Sequence, residues 1–117
     1  MDKMWLYIVT RAPYGDHMPS DAPFDAIMAT AAFGQPVQVV LAGAGKAYLD
    51  PLLEPPEGCT DLRKHLRALP LYGIERLLVD EWPSHPIVIS NDLEVESIDS
   101  ETLRSLVVDA ANTVVFS

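Results

Sequence analysis

Hydrophobic positions along this chain fall into blocks of two kinds. The first is Trp5-Leu6-Tyr7-Ile8-Val9, a continuous apolar run of strand length. A turn follows, Arg11-Ala12-Pro13-Tyr14-Gly15, and then the period changes. Phe24, Ile27, Met28, Ala31 and Ala32 recur at the spacing of one helical face. Ser20 is placed to cap this helix. Pro23 suits a first turn, where its missing N–H costs no helical bond, and Gly34 suits the residue just past the end.

The two kinds of block keep alternating. Val37 to Ala42 is apolar except for Gln38, as a strand covered on both faces should be. Gly43-Ala44-Gly45 breaks the chain. Lys46 to Leu53 predicts a short helix, ended by Glu54-Pro55-Pro56-Glu57-Gly58. Thr60 is positioned to cap a further helix carrying Leu62, Leu66 and Leu69, with Pro70 as its stop. Ile74 to Val79 predicts a third strand. Asp80-Glu81-Trp82-Pro83-Ser84-His85-Pro86 reads as a loop. Ile87 to Ser97 is extended but interrupted at Asn91-Asp92, so one broken strand and two short ones both fit. Ser100 is the expected cap of a helix with Leu103, Leu106, Val107 and Ala110 at helical spacing, and Thr113 to Phe116 is a last strand.

Strands that alternate with helices in one short chain predict an α/β fold. The expectation is a single domain over residues 1–117. It has a mainly parallel sheet of about five strands with helices on both faces, in flavodoxin-like or Rossmann-like layers. Leu6–Val9, Val37–Leu41 and Leu77–Val79 should be central. Ligands of such sheets bind beyond the carboxyl ends of the strands. Those ends are the Arg11–Gly15 turn, the Gly43–Gly45 turn and Asp80-Glu81.

Charge narrows the classes of partner. The formal net charge is −9, with 17 acidic against 8 basic residues. A broad phosphate-binding face needs Lys and Arg, so direct nucleic-acid binding is not expected. No run reaches the ~18 apolar residues of a membrane span. The N-terminus lacks the longer apolar core and cleavage site of a signal peptide, so a cytoplasmic location is the expectation. The single cysteine, Cys59, excludes an intrachain disulfide.

The candidates for chemistry each meet a plainer reading. Gly43-x-Gly45-Lys46 has the flavour of an anion-binding loop, but it lacks the spacing of a Walker loop and has Tyr48 where a dinucleotide fingerprint needs a third glycine. A tight turn is the reading it supports. Cys59 precedes an expected helix start, with Arg63 and Lys64 a turn later. Glu57 and Asp61 lie closer and oppose a thiolate. Asp80, Glu81 and His85 fall short of a metal site because His17 and His65 belong to other elements; no metal and no cofactor are expected. Ser90 and Ser105 lie outside any nucleophile elbow. Trp5 and Trp82 read as packing residues rather than base-stacking platforms.

Arg11-Ala12-Pro13-Tyr14-Gly15 followed by Asp25 to Phe33 resembles the start of the DsrE/DsrF/TusC family of sulfur-relay proteins. The likeness is closest to the DsrF/TusC branch. It continues in Val39 to Gly45 and in Leu71-Tyr72-Gly73-Ile74-Glu75, and returns in Asn112 to Phe116. The resemblance implies a role in persulfide transfer, toward tRNA thiolation or sulfur metabolism. In the catalytic members the carrier cysteine lies just past the third strand. Here that stretch is Val79-Asp80-Glu81, which cannot carry sulfane sulfur, and TusC-type subunits likewise lack the cysteine. The implied role is a non-catalytic subunit beside TusD/DsrE-like and TusB/DsrH-like partners.

Two alternatives remain open: a stand-alone, homo-oligomeric small-ligand-binding domain, and a thiol-dependent sulfurtransferase using Cys59. Arg11, Tyr14, Gly43, Gly45, Asp80 and Trp82 are the residues expected in a cleft or interface. Tyr14, Tyr48, Tyr72, Trp82 and Phe116 fall in expected loops or element ends, where aromatics serve as interface anchors. They motivate the expectation of a homo- or hetero-oligomer.

Overall fold

The computed structural model describes residues 4–11, 22–49, 64–81 and 93–116. Strand β1 spans Trp5–Val9 and is followed by helix α1, Ala22–Ala32. Strand β2, Val37–Leu41, leads into a 3-10 run over Gly43–Leu49. Helix α2, Lys64–Ala68, passes directly into a second 3-10 run, Leu69–Tyr72. Strands β3, Arg76–Asp80, and β4, Glu94–Ile98, precede helix α3, Ser100–Asp109, and strand β5, Asn112–Phe116.

The five strands form one sheet in the order β4-β3-β2-β1-β5. Every pairing is parallel. The inner strands are β1, β2 and β3, as the apolar runs Leu6–Val9, Val37–Leu41 and Leu77–Val79 predict.

Strand order and handedness decide which face each helix covers. From β1 to β2 and from β2 to β3 the chain steps sideways in one direction. Right-handed crossovers therefore put α1 and α2 on the same face. From β4 to β5 the chain returns across the whole sheet, so α3 must lie on the other face. The packing agrees. Tyr7, Val9, Val39, Leu41, Leu77 and Val79 pack with Phe24 and Ile27 of α1 and with Tyr48, Leu66 and Leu69. Leu6, Ile8, Val40, Leu78 and Ile98 pack with Leu103 and Leu106 of α3 and with Ala110 just past its end. The alternation of inward positions along each strand produces this division.

The first face is the better filled. Phe24 and Ile27 are fully buried, with Met28 and Ala31 half-buried beside them. The Phe24 ring stacks on His65 at 5.3 Å and meets Tyr48 edge-on at 5.3 Å. A hydrogen-bond chain ties α1 to the sheet. Thr30 Oγ1 spends its proton on the Ala26 carbonyl at 2.9 Å. The Tyr7 hydroxyl, 2.6 Å away, is then the donor to Thr30. The second face is thinner. No residue of α3 is buried, and Val107 and Val108 are exposed. Gln38, Arg76 and Glu96 make its strand-start end polar, with Arg76 and Glu96 as an exposed ion pair.

Several expectations need correction. The chain does not break at Gly43 and restart at Lys46; a 3-10 run covers Gly43–Leu49 throughout. The α-helix ends at Ala68, ahead of Pro70 as expected, but the chain goes on as a 3-10 run with Pro70 in its first turn, where its fixed φ is tolerated. That run ends at Gly73, with φ 84°. The third strand starts at Arg76, and Ile74 packs into the core ahead of it. The cap of α3 is Asp99, not Ser100: its carboxylate accepts from the Thr102 N–H at 2.8 Å. Ala32 is exposed rather than inward. The expected cap residues Ser20 and Thr60 and the extended stretch 87–92 lie outside the described residues.

Candidate functional site

Parallel pairing brings the carboxyl ends of β3, β2, β1 and β5 to one rim of the sheet. Arg11, Gly43, Gly45 and Asp80 all lie on this rim, so the structure brings together the expected residues that it describes. Tyr14, Trp82, Cys59 and His85 lie outside the described residues.

At the β1 end, Thr10 ties two strands. Its N–H donates to the Phe116 carbonyl at 2.8 Å, and its hydroxyl donates to the same oxygen at 3.0 Å. Arg11 follows as a half-buried bend. Over these residues folds the turn after β2. The Ala42 N–H donates to the Val9 carbonyl at 3.0 Å, and the Gly45 N–H donates back to the Ala42 carbonyl at 2.9 Å. Gly43 takes φ 52°, beside Thr10. A Cβ on Gly45 would fall 2.0 Å from the Val9 carbonyl oxygen. Gly45 is therefore needed for close backbone approach, and Gly43 for its positive φ. The Gly45 N–H is already used, and its open side faces a carbonyl rather than a space for an anion. The turn is a packing device, as its incomplete motif suggested.

At the β3 end, Asp80 is the last strand residue and not part of a loop. It lies opposite Ile98 of β4. Its Oδ1 is buried and has no hydrogen-bond partner among the described residues. The next residue, Glu81, takes φ 51°, a left-handed conformation that costs a side chain such as Glu about 1 kcal/mol or more. Two bonds hold it there. The Glu81 N–H donates to the Ile98 carbonyl at 2.8 Å, and the Ser100 hydroxyl donates to Glu81 Oε1 at 2.9 Å. Both acids thus sit where β3 meets the end of β4, and the Glu81 carboxylate is engaged by the start of α3. Among the described residues no group of three or more His, Cys, Asp or Glu side chains is arranged to hold a metal ion. None of the described helices is long and apolar enough to cross a membrane.

Beside this end stands the start of α3. Hydrogen bonds from Thr102, side chain first and then backbone, hold the Asp99 carboxyl below its ordinary value. Thr10, Asp99 and Ser100 were not singled out as members of this rim by sequence. The available signal was Asp99-x-x-Thr102, a polar residue three positions before another at a helix start.

The model of the DsrE/DsrF-like family matches residues 3–116. The chain belongs to the DsrE/DsrF-like family. Among solved structures it is similar to the crystal structure of the ychN protein from E. coli, with a TM-score of 0.67 and 16% sequence identity. That likeness covers 99% of this chain and 100% of the other. At such identity it speaks for the fold. Comparison with curated proteins finds no match.

Membership gives the rim its interest. The resemblance puts the carrier cysteine of catalytic DsrE/DsrF-like proteins just past the third strand. In this DsrE/DsrF-like chain β3 ends on Asp80, and Glu81 follows. Among the interface candidates, Tyr48 needs correction: it is 2% exposed and packs on Phe24. Phe116 is half-buried and stacks on Tyr7 at 6.0 Å. Tyr72 is exposed.

Proposed function

We propose that this chain is a non-catalytic subunit of a persulfide-relay assembly. It holds its place beside a TusD/DsrE-like subunit, which carries the reactive cysteine, and a TusB/DsrH-like subunit. The sulfur would go toward tRNA thiolation or another branch of sulfur metabolism. The observation that carries this reading is the chemistry at the end of β3. A domain of this family with Asp80 and Glu81 there has no thiol at the position where sulfur is carried. A carboxylate forms no persulfide, so the domain's contribution would be to position a partner.

The test is reconstitution. The chain is mixed with TusD/DsrE-like and TusB/DsrH-like proteins from the same source, and complex formation is measured by sedimentation. Labelled sulfur is then supplied as persulfide. A ternary complex that carries label on the TusD/DsrE-like cysteine and none on this chain supports the relay. No complex at micromolar concentration removes it.

A second reading is a stand-alone domain that binds a small ligand at the rim. The unpartnered Oδ1 of Asp80 favours it, since a buried acceptor without a donor is costly. Asp80→Ala would then abolish binding, and a retained relay complex would separate the two readings.

A further inference from the structure

Two unfavourable features stand side by side at the end of β3. Glu81, at φ 51°, is the one non-glycine residue of positive φ among the described residues. Asp80 Oδ1 is the one buried side-chain oxygen or nitrogen among them that lacks a hydrogen-bond partner. Both features are uncommon in folded chains, and each persists only where its surroundings enforce it. Asp80 lies on the α3 face of the sheet, in alternation with Leu78. Ser100, the first residue of α3, bonds Glu81. The two features therefore share one corner, where β3, β4 and α3 meet.

The two bonds to Glu81 are not equivalent. The N–H bond to the Ile98 carbonyl fixes the peptide ahead of the Glu81 Cα. Rotation about φ leaves that bond in place and swings the Glu81 side chain and the direction in which the chain leaves β3. The Ser100 hydroxyl bond to Oε1 is the one contact of Glu81, among the described residues, that this rotation breaks. Its donor stands on a fixed base, because the Asp99 carboxylate caps α3 through the Thr102 N–H. The bond is exposed to water. The worth of one such hydrogen bond and the cost of a left-handed side chain are of the same order. Neither form of the corner is therefore far above the other.

We propose that Glu81 and Ser100 form a latch, and that the end of β3 is a two-state corner. In the latched form Glu81 is left-handed and its carboxylate is held by Ser100. In the released form φ is negative, the hydroxyl bond is broken and the chain leaves β3 in another direction. The latch is the contact that sets the balance, since the backbone bond is common to both forms. Anything that touches Glu81 or Ser100 more favourably in one form shifts the corner toward it. The relay and ligand readings both centre on this corner. The latch belongs to the free chain, so it is decided separately from either.

Nuclear magnetic resonance of the purified full chain tests it. A close contact between the amide and α protons of Glu81, with the matching coupling, reports positive φ. Wild type should show it. Ser100→Ala removes the donor, and the ratio of released to latched form should rise about fivefold, the worth of one hydrogen bond. Ser100→Thr keeps a hydroxyl and should restore the wild-type ratio. From the other side, Glu81→Ala should release the corner, whereas Glu81→Gln, whose amide oxygen still accepts, should stay latched. Glu81→Gly takes positive φ without cost, so adding Ser100→Ala to it should change nothing at residue 81. Circular dichroism should match wild type throughout, because the cap of α3 is Asp99. Negative φ at Glu81 in wild type would overturn the proposal. So would a left-handed residue 81 that persists unchanged in both Ser100→Ala and Glu81→Ala, or a Ser100→Thr variant that behaves as Ser100→Ala.

Discussion

Gly45 and Val9 are in backbone contact across the carboxyl ends of β2 and β1. The Val9 carbonyl oxygen lies 2.0 Å from where a Cβ on Gly45 would stand. Backbone cannot yield as a flexible side chain can. Gly45→Ala must push the Gly43–Leu49 run off β1, and with it Tyr48 and Leu49 out of the core. The expected loss is about 1–3 kcal/mol, the range of overpacked interiors. Urea unfolding of the variant checks it. An unchanged midpoint would show that the turn does not pack as described. Gly34→Ala is the contrast: its Cβ meets nothing within 4 Å, and only its φ of 83° is strained.

Phe24 is the second point of leverage. It is fully buried between His65 and Tyr48, so it joins α1, α2 and the 3-10 run after β2. Phe24→Ala should cost about 3–5 kcal/mol. Phe33→Ser, only nine residues on but 85% exposed, should stay within about 0.5 kcal/mol of wild type. Thermal unfolding of the pair would separate the inward face of α1 from its exposed end. Equal losses would place Phe33 in an interface or α1 in another orientation.

The strands were legible because a parallel sheet covered on both faces needs near-continuous apolar runs. Trp5–Val9, Val37–Leu41 and Leu77–Val79 supply them. Helix α1 was legible from the spacing of Phe24, Ile27 and Met28. What failed lies at element ends. Asp99 and Ser100 are both good caps, and sequence has no means to rank neighbours. The choice is tertiary, since the Ser100 hydroxyl is taken by Glu81. Tyr48 lies near the start of the short helix expected from Lys46, where sequence does not say which way an aromatic turns; the 3-10 run carries it onto Phe24. Asp80 read as loop because polarity at the end of a strand looks like the start of a turn. The rim was therefore foreseen as a place, while the bonds that build it join residues far apart in sequence: Thr10 with Phe116, and Glu81 with Ile98 and Ser100.

The Asp99 cap should leave a mark in the pH dependence of stability. Its folded value lies below the ordinary 3.8, because Thr102 donates to the charged form. The unfolded chain therefore takes up the proton first. The stabilisation is complete above the unfolded value and is lost as pH falls through the lowered folded value. Asp99→Ala should lower the melting temperature at neutral pH, and the gap from wild type should close in acid. Asp99→Asn, which still caps, should melt near wild type at neutral pH and keep its cap in acid. A gap between wild type and Asp99→Ala that does not shrink on acidification would mean that the carboxylate's charge has no part in the cap.

Cys59 gives the relay reading its sharpest trial. It is the chain's single thiol, and it stands well upstream of the end of β3. Glu57 and Asp61 flank it and disfavour a thiolate, while Arg63 and Lys64 are farther along. If the chain positions a partner and carries no sulfur, Cys59→Ser should leave sulfur transfer through the reconstituted assembly within about twofold of wild type. The rate should be followed with labelled persulfide, beside an assembly whose TusD/DsrE-like subunit has lost its carrier cysteine. Removing that cysteine should abolish transfer. Should Cys59→Ser abolish it as well, with the complex still formed, the thiol on this chain carries sulfur and the non-catalytic reading fails. Asp80→Ala and Glu81→Ala then separate positioning from transport. In a positioning subunit either change acts only through complex formation, so the rate per assembled complex should hold while the affinity falls.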